Sequence, residues 1–395
     1  MKVLTVAGTR PEAIKLAPVL QELRRKESSG VSPVLCVTGQ HRQMLDQVMR
    51  LFQLVPDHDL NVMTVDQSPA QVAAAVLERF EPILKSERPD WVLVQGDTTT
   101  AMAAALTAFY GGVKVGHVEA GLRTHDRHHP FPEEINRKVI GAVADMHFAP
   151  TERARANLLR EDIPEATILV TGNTVIDALH WAAALPEPPE VSRLLAQLGI
   201  PATEGARSGS SRVGDSWPAE RPDHPLLILV TAHRRENLGG PLEQVCLALR
   251  DIAVRYKGRV QLVYPVHLNP NVREPVQRIL GGVPGIALIP PLDYLPLVHL
   301  MKRSYLVLTD SGGIQEEAPS LGKPVLVLRD ATERPEAVEA GTVNVIGADR
   351  GRLVEETARL IEDPKSYAAM ARAVNPYGDG HASERIVNWL LQTQV

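Results

Sequence analysis

Three carboxylates stand where acid–base chemistry would need them. Asp97, Glu119 and Glu133 each follow or border an apolar run, at the point where a strand would give way to a turn. Carboxylates gathered at strand ends serve proton transfer, because burial or mutual repulsion raises one pKa until an acid and a base coexist near neutrality. Each has a plainer alternative: Asp97 as the N-cap of the helix after it, and Glu133 with Glu134 as an anionic helix start. The cations are grouped as well. Arg10 and Lys15 lie at the start of one helix, where a positive charge opposes the helix dipole and an external anion accounts for it; an ion pair from Lys15 to Glu12 is the alternative. In TAHRREN, residues 231–237, His233 could move a proton or stabilise a departing phosphate, and Arg234 and Arg235 match phosphate oxygens. Residues 306–328, LVLTDSGGIQEEAPSLGKPVLVL, set a Ser311-Gly312-Gly313 turn between an apolar run and a helix. Free N–H groups at such a helix start favour a phosphate, and glycine lets it approach the main chain. Glu316 or Glu317, about one helical turn further in, is placed to accept from a sugar hydroxyl.

The elements that position these groups alternate between strand and helix. Apolar runs at 3–7, 34–38, 91–95, 113–118, 147–150 and 167–170 alternate with helical patterns at 14–23, 43–52, 70–85, 135–143 and 152–160. Thr9 with Glu12 forms a capping box, and Pro18 predicts a kink in the first helix. The rhythm resumes with strands at 226–231, 260–265, 286–289, 306–309 and 343–346, and helices at 241–256, 272–280, 295–303 and 351–362. Continuous apolar strands between helices predict parallel sheets covered on both faces. The fold class is therefore α/β, with two Rossmann-like doubly wound domains facing a cleft. The boundaries predicted are 1–172 for the first domain and 173–375 for the second, with a last helix in 376–395 packing back on the first. Residues 203–223, rich in Gly, Ser, Arg and Pro, read as a flexible insertion.

Composition narrows the partners. A net charge of −5, with 44% hydrophobic and 23% charged residues, describes a globular chain without a basic field for nucleic acid. No apolar run reaches the ~18 residues of a membrane span. Cys36 and Cys246 sit in apolar patterns and read as buried thiols of a reducing cytoplasm. The first ten residues read as a strand rather than a leader. No G-x-G-x-x-G follows the first strand and no Walker lysine motif is present, which disfavours nicotinamide and ATP chemistry. His125, His128 and His129 read as polar surface rather than metal ligands.

Taken together, GTRPEAIKLAP, QGDTTTAMA, GHVEAGLRT, FPEEINR, TAHRREN, TDSGGIQEEAPSLGKPVLVLRDATERPEA and NPYGDGHAS resemble the bacterial non-hydrolysing UDP-N-acetylglucosamine 2-epimerases. The resemblance runs over nearly the whole chain. It implies the glycosyltransferase-B arrangement and interconversion of UDP-GlcNAc and UDP-ManNAc with no NAD and no metal, in a cytoplasmic homodimer serving polysaccharide biosynthesis. It implies Asp97, Glu119, Glu133 and His233 as catalytic residues. UDP-sugar binding would fall to Arg10, Lys15, Asp97, Glu119, His233, Leu292, Leu297, Ser311, Gly312, Gly313, Glu317 and Arg334. UDP-GlcNAc would also act as allosteric activator through Gln40, His41, Gln67 and Arg234. The pattern departs at Leu292 and Leu297, where some relatives carry Gln and Phe near the uracil. It departs again at Asp66, where some place an activator-binding Arg, and at the 203–223 insertion. A retaining UDP-sugar glycosyltransferase would share the fold but has less use for three carboxylates from the first half; a non-catalytic UDP-sugar sensor would have none.

Overall fold

The structure, a computed structural model, describes residues 1–39, 42–64, 67–201 and 224–393. Gln40, His41, Asp66 and the 203–223 insertion lie outside the described residues. The chain divides into two compact units, one of Met1–His180 with Tyr377–Val395 and one of Trp181–Pro376. The first division falls inside the helix Thr174–Ala184 rather than at 172, because that helix begins against the first unit. Asp177 accepts from the backbone N–H groups of Ala382 and Ser383, at 3.2 and 2.8 Å, and Asn173 N–H donates to Tyr377 O at 2.7 Å.

The first unit holds seven strands: β1 (Lys2–Ala7), β2 (Ser32–Val37), β3 (His58–Asp59), β4 (Trp91–Gln95), β5 (Lys114–Val118), β6 (Met146–Ala149) and β7 (Ile168–Val170). They form one parallel sheet in the order β3-β2-β1-β4-β5-β6-β7. Strand order reverses between β1 and β4, and in such sheets ligands bind outside the carboxyl ends at that reversal. Helices on both faces bury the apolar strands, with Val6, Val76, Phe80, Val92 and Ala104 in one core. Thr9 and Glu12 form the predicted capping box at the start of helix Arg10–Arg25, which continues through Pro18. The helix Ala382–Gln392 completes the unit, with Trp389 edge-on to Trp91 and Phe148 at centroid distances of 5.6 and 5.7 Å.

The second unit repeats the plan with β8 (Leu226–Thr231), β9 (Val260–Pro265), β10 (Ile286–Ile289), β11 (Leu306–Thr309), β12 (Val325–Val327) and β13 (Val343–Val345), ordered β10-β9-β8-β11-β12-β13 and parallel. Its reversal lies between β8 and β11. Sequence patterning does not find β3, a two-residue strand held by the pairs Cys36–His58 and Val37–Asp59, nor the short helices Pro189–Gln197, Pro335–Glu339 and Pro364–Ala371. A proline opens each of these helices, where it suits the first turn. Cys36 and Cys246 are buried free thiols, both pushed by burial to about 12. Among the described residues no helix is long and apolar enough to cross a membrane.

Candidate active site

In the first unit the chemistry collects at the ends of β1, β4 and β5. Arg10 is the first residue of its helix, half-buried just beyond β1. Lys15, one turn on, pairs with Glu119 rather than with Glu12, and Gln95 Nε2 donates to the same Glu119 oxygen. Glu119 directly follows β5, is 8% exposed and has φ of +65°. That left-handed backbone is unfavourable for a residue with a side chain, and such strain is characteristic of functional sites.

Asp97 follows β4 across the Gly96 turn. It does not cap the next helix, a role taken by Thr98, whose side chain accepts from Ala101 N–H. Instead Nε and Nη2 of Arg137 reach Asp97 Oδ2 at 2.8 and 2.6 Å, and Asn136 Nδ2 donates to the Asp97 carbonyl at 2.9 Å. Glu133 opens the helix Glu133–Val143 that carries both donors. Its Oε2 is shut from solvent with no hydrogen-bond partner. Glu134 is structural: fully buried, it accepts from Thr124 and His125 N–H groups, both at 3.1 Å, and pairs with Arg137. Burial pushes its pKa up, but those donors and the guanidinium outweigh it and hold the pKa below the usual carboxylate range.

Two further residues tie the turns together. His117, on β5, meets the Gly96 carbonyl through Nε2 at 2.8 Å, so Nε2 carries the proton; burial lowers its pKa to about 3, keeping it neutral. Glu12, 1% exposed, accepts from Thr9 N–H at 2.6 Å and from the Thr98 hydroxyl at 2.8 Å, bridging the turns after β1 and β4. Burial raises its pKa to about 7 against those hydrogen bonds.

In the second unit the corresponding strands are β8, β11 and β12. Ser311 is the N-cap of helix Gly312–Ser320, and its hydroxyl makes no cap hydrogen bond. The two glycines supply room: a Cβ on Gly312 would lie 3.6 Å from Arg334 Nη2 and 3.8 Å from Arg234 Nη2. Two guanidiniums therefore flank a helix start with free N–H groups, a combination that attracts phosphate oxygens. Arg334 is held by Glu316 and, at 3.4 Å, by Glu333. Glu317 accepts from the Tyr294 hydroxyl at 3.1 Å. His233 lies just beyond β8, its side chain 43% exposed, with its ring stacked on His267 at 5.2 Å. Partial burial lowers its pKa; Asp310 opposes this, while His267 and Arg234 add to it. Leu292, half-buried, packs with Val263 and Leu300, and Leu297 lies in the helix Tyr294–Arg303.

Of the expected activator residues, Arg234 stands at the Gly312 helix start, while Gln67 bonds its own loop through Thr64 N–H and Val62 O, at 3.2 and 3.1 Å. Sequence reading missed Arg137, Gln95 and Asp310, and it saw Glu12 as a cap without its bond to Thr98. Only Arg137 left a local sign, one turn after Glu133 on a helix face shared with Glu134. His125, His128 and His129 lie on a polar loop where His129 pairs with Asp126 at 3.0 Å. Among the described residues no group of three or more His, Cys, Asp or Glu side chains could hold a metal ion.

Comparison with known proteins follows the same lines. The family model described as UDP-N-acetylglucosamine 2-epimerase matches residues 22–391. The UDP-N-acetylglucosamine 2-epimerase of Escherichia coli strain K12 is 52% identical over 395 residues, covering 100% of both chains. The crystal structure of the Neisseria meningitidis UDP-GlcNAc 2-epimerase bound to UDP-GlcNAc is 47% identical with a TM-score of 0.85, covering 99% of this chain and 100% of that one. The Methanocaldococcus jannaschii enzyme, in complex with UDP-GlcNAc and UDP, is 32% identical with a TM-score of 0.76 at the same coverage.

Proposed function

The chain belongs to the UDP-N-acetylglucosamine 2-epimerase family, and on that premise we propose that it inverts C2 of UDP-GlcNAc by eliminating UDP and adding it back. The C2 hydrogen is not adjacent to a carbonyl, so a carboxylate cannot remove it directly at a useful rate. Breaking the anomeric C1–O bond first sends its electron pair to the diphosphate and leaves cationic character at C1, which acidifies C2. A carboxylate then takes the C2 proton, and the C1=C2 double bond of 2-acetamidoglucal forms. Proton return to the opposite face of C2, with diphosphate attack at C1, gives UDP-ManNAc.

The observation that supports this reading is that Asp97 and Glu119 follow the adjacent strands β4 and β5, while the helix that Glu133 opens bonds to Asp97 through Asn136 and Arg137. Inversion needs proton carriers for two faces of one carbon, which several carboxylates supply better than one. Lys15 and Arg137 hold two of them in fixed orientations. The departing diphosphate is stabilised by His233 and the Ser311–Gly313 helix start, with Arg334 and Arg234 beside it. Leu292 and Leu297 line the uracil side, and Glu317 takes a sugar hydroxyl. The enzyme works as a homodimer, UDP-GlcNAc doubles as its activator, and its product supplies ManNAc units for cell-surface polysaccharide.

Incubation with UDP-GlcNAc in D₂O tests the mechanism. UDP-ManNAc carrying deuterium at C2 is the expected product, read by NMR. UDP-ManNAc formed with C2 still fully protonated would rule out proton exchange with the carboxylates.

A further inference from the structure

Asp310 follows β11 directly and is fully buried. Its Oδ2 accepts three hydrogen bonds, from the backbone N–H groups of His233 and Arg234, both at 2.7 Å, and from Asn237 Nδ2 at 3.1 Å. Those bonds already hold the loop after β8 in place, so the structural demand on this side chain is met by one oxygen. The other oxygen, Oδ1, is equally shut from solvent and has no hydrogen-bond partner. Leaving such an oxygen bare is unfavourable. It lies 4.0 Å from His233 Nδ1, so a ring shift of about 1 Å brings the pair to hydrogen-bond length. The opposite constraint on the ring comes from His267, whose plane lies 6° from that of His233. One face of the imidazole is therefore stacked while one edge looks toward a buried carboxylate.

We propose that Asp310 is a positioning residue for His233: its Oδ1 takes the Nδ1–H of the ring in its neutral and charged forms, so that the imidazolium presents its Nε2–H to the diphosphate oxygen departing from C1. The inference rests on the reading that His233 acts on the diphosphate. The charged and titratable groups facing the ring are Asp310, His267 and Arg234. His267 and Arg234 disfavour an imidazolium, so Asp310 is the neighbour that sustains it. Catalytic histidines are commonly oriented in this way, because the group on one ring nitrogen fixes what the other nitrogen offers.

The test compares kcat–pH profiles of wild type, Asp310→Asn, His233→Gln and the double variant, with UDP affinity measured alongside. In Asp310→Asn the amide oxygen still accepts from the loop N–H groups, so UDP affinity should stay within about threefold of wild type while kcat falls about 100-fold. The basic limb should move to lower pH, because the charged ring has lost its anion. In the His233→Gln background the same substitution should cost less than about twofold, as for residues acting through one another. An equal loss in both backgrounds, or an unmoved limb, overturns the positioning role. If His233→Gln alone turns over like wild type, the reading of His233 fails instead, and the two outcomes are distinct. Should Asp310→Asn not fold, histidine ¹⁵N shifts of the wild type decide: a neutral His233 protonated on Nδ1 is expected, and one protonated on Nε2 contradicts the proposal.

Discussion

Asp97 and Glu119 are both bound by cations, yet their settings differ in a way that bears on which does what. Glu119 is clamped by Lys15 and Gln95 on a strained backbone and is nearly closed to solvent. Asp97 presents one oxygen to Arg137 and keeps 27% of its side chain accessible. Replacing Asp97 by Asn keeps the shape and the carbonyl bond to Asn136 but removes the proton acceptor. Turnover should fall by roughly 10²–10⁴-fold, while UDP binding, assigned to the second unit, should hold; steady-state kinetics and calorimetric titration with UDP check both. Turnover near the wild-type value would remove Asp97 from the mechanism. The position of Asp97 was legible in the sequence, because a carboxylate one glycine past an apolar run is a local feature. Arg137 was not, because its partner lies forty residues upstream and only the pairing of β4 with β5 and the packing of one helix bring them together.

At the scale of elements, the turns after β1 and β4 are joined by Glu12, whose carboxyl titrates near neutrality. Its pKa is raised from 4.5 to about 7 by burial, so the fold favours the protonated form. The corresponding stability is fully present below pH 4.5 and is lost as pH rises through 7, a range of roughly 3 kcal/mol. Glu12→Gln keeps an acceptor oxygen for the Thr9 N–H and turns its amide NH₂ toward the Thr98 hydroxyl, which then accepts, without the charge. Its stability relative to wild type should therefore improve between pH 5 and pH 8 by about 2 kcal/mol, as urea denaturation at the two values would report. A difference that does not change with pH would mean that the carboxyl stays charged in the fold. The capping box containing Glu12 could be read from Thr9-x-x-Glu12 alone. Its second bond, to Thr98, could not, since nothing near residue 12 reports on residue 98. Most strands were legible through their unbroken apolar runs, whereas β3 escaped notice because two residues have no period to detect.

At the scale of the whole molecule, the chain builds most of the first unit, then the second, and returns to the first after residue 376. The return is held by Asp177, by the bond from Asn173 to Tyr377 and by Trp389 against Trp91 and Phe148. Trp389→Ala removes an aromatic from that core and should destabilise the first unit by about 3 kcal/mol. Calorimetry should show one transition moved down by several degrees, with UDP still raising the melting temperature of the other. A uniform loss across both transitions would contradict independent units. The double alternation of strands and helices made two sheets predictable, but the point of division was not, because helix Thr174–Ala184 carries an uninterrupted pattern across it.

The returning helix also sets an order of assembly. Residues 377–393 leave the ribosome after residues 181–376, so the unit begun first is the one completed last. During synthesis Trp91 and Phe148 wait for Trp389 while the second unit already has all of its residues. The newborn chain therefore completes its second unit ahead of its first, and a chain stalled short of that helix lacks the part that finishes the first sheet's core.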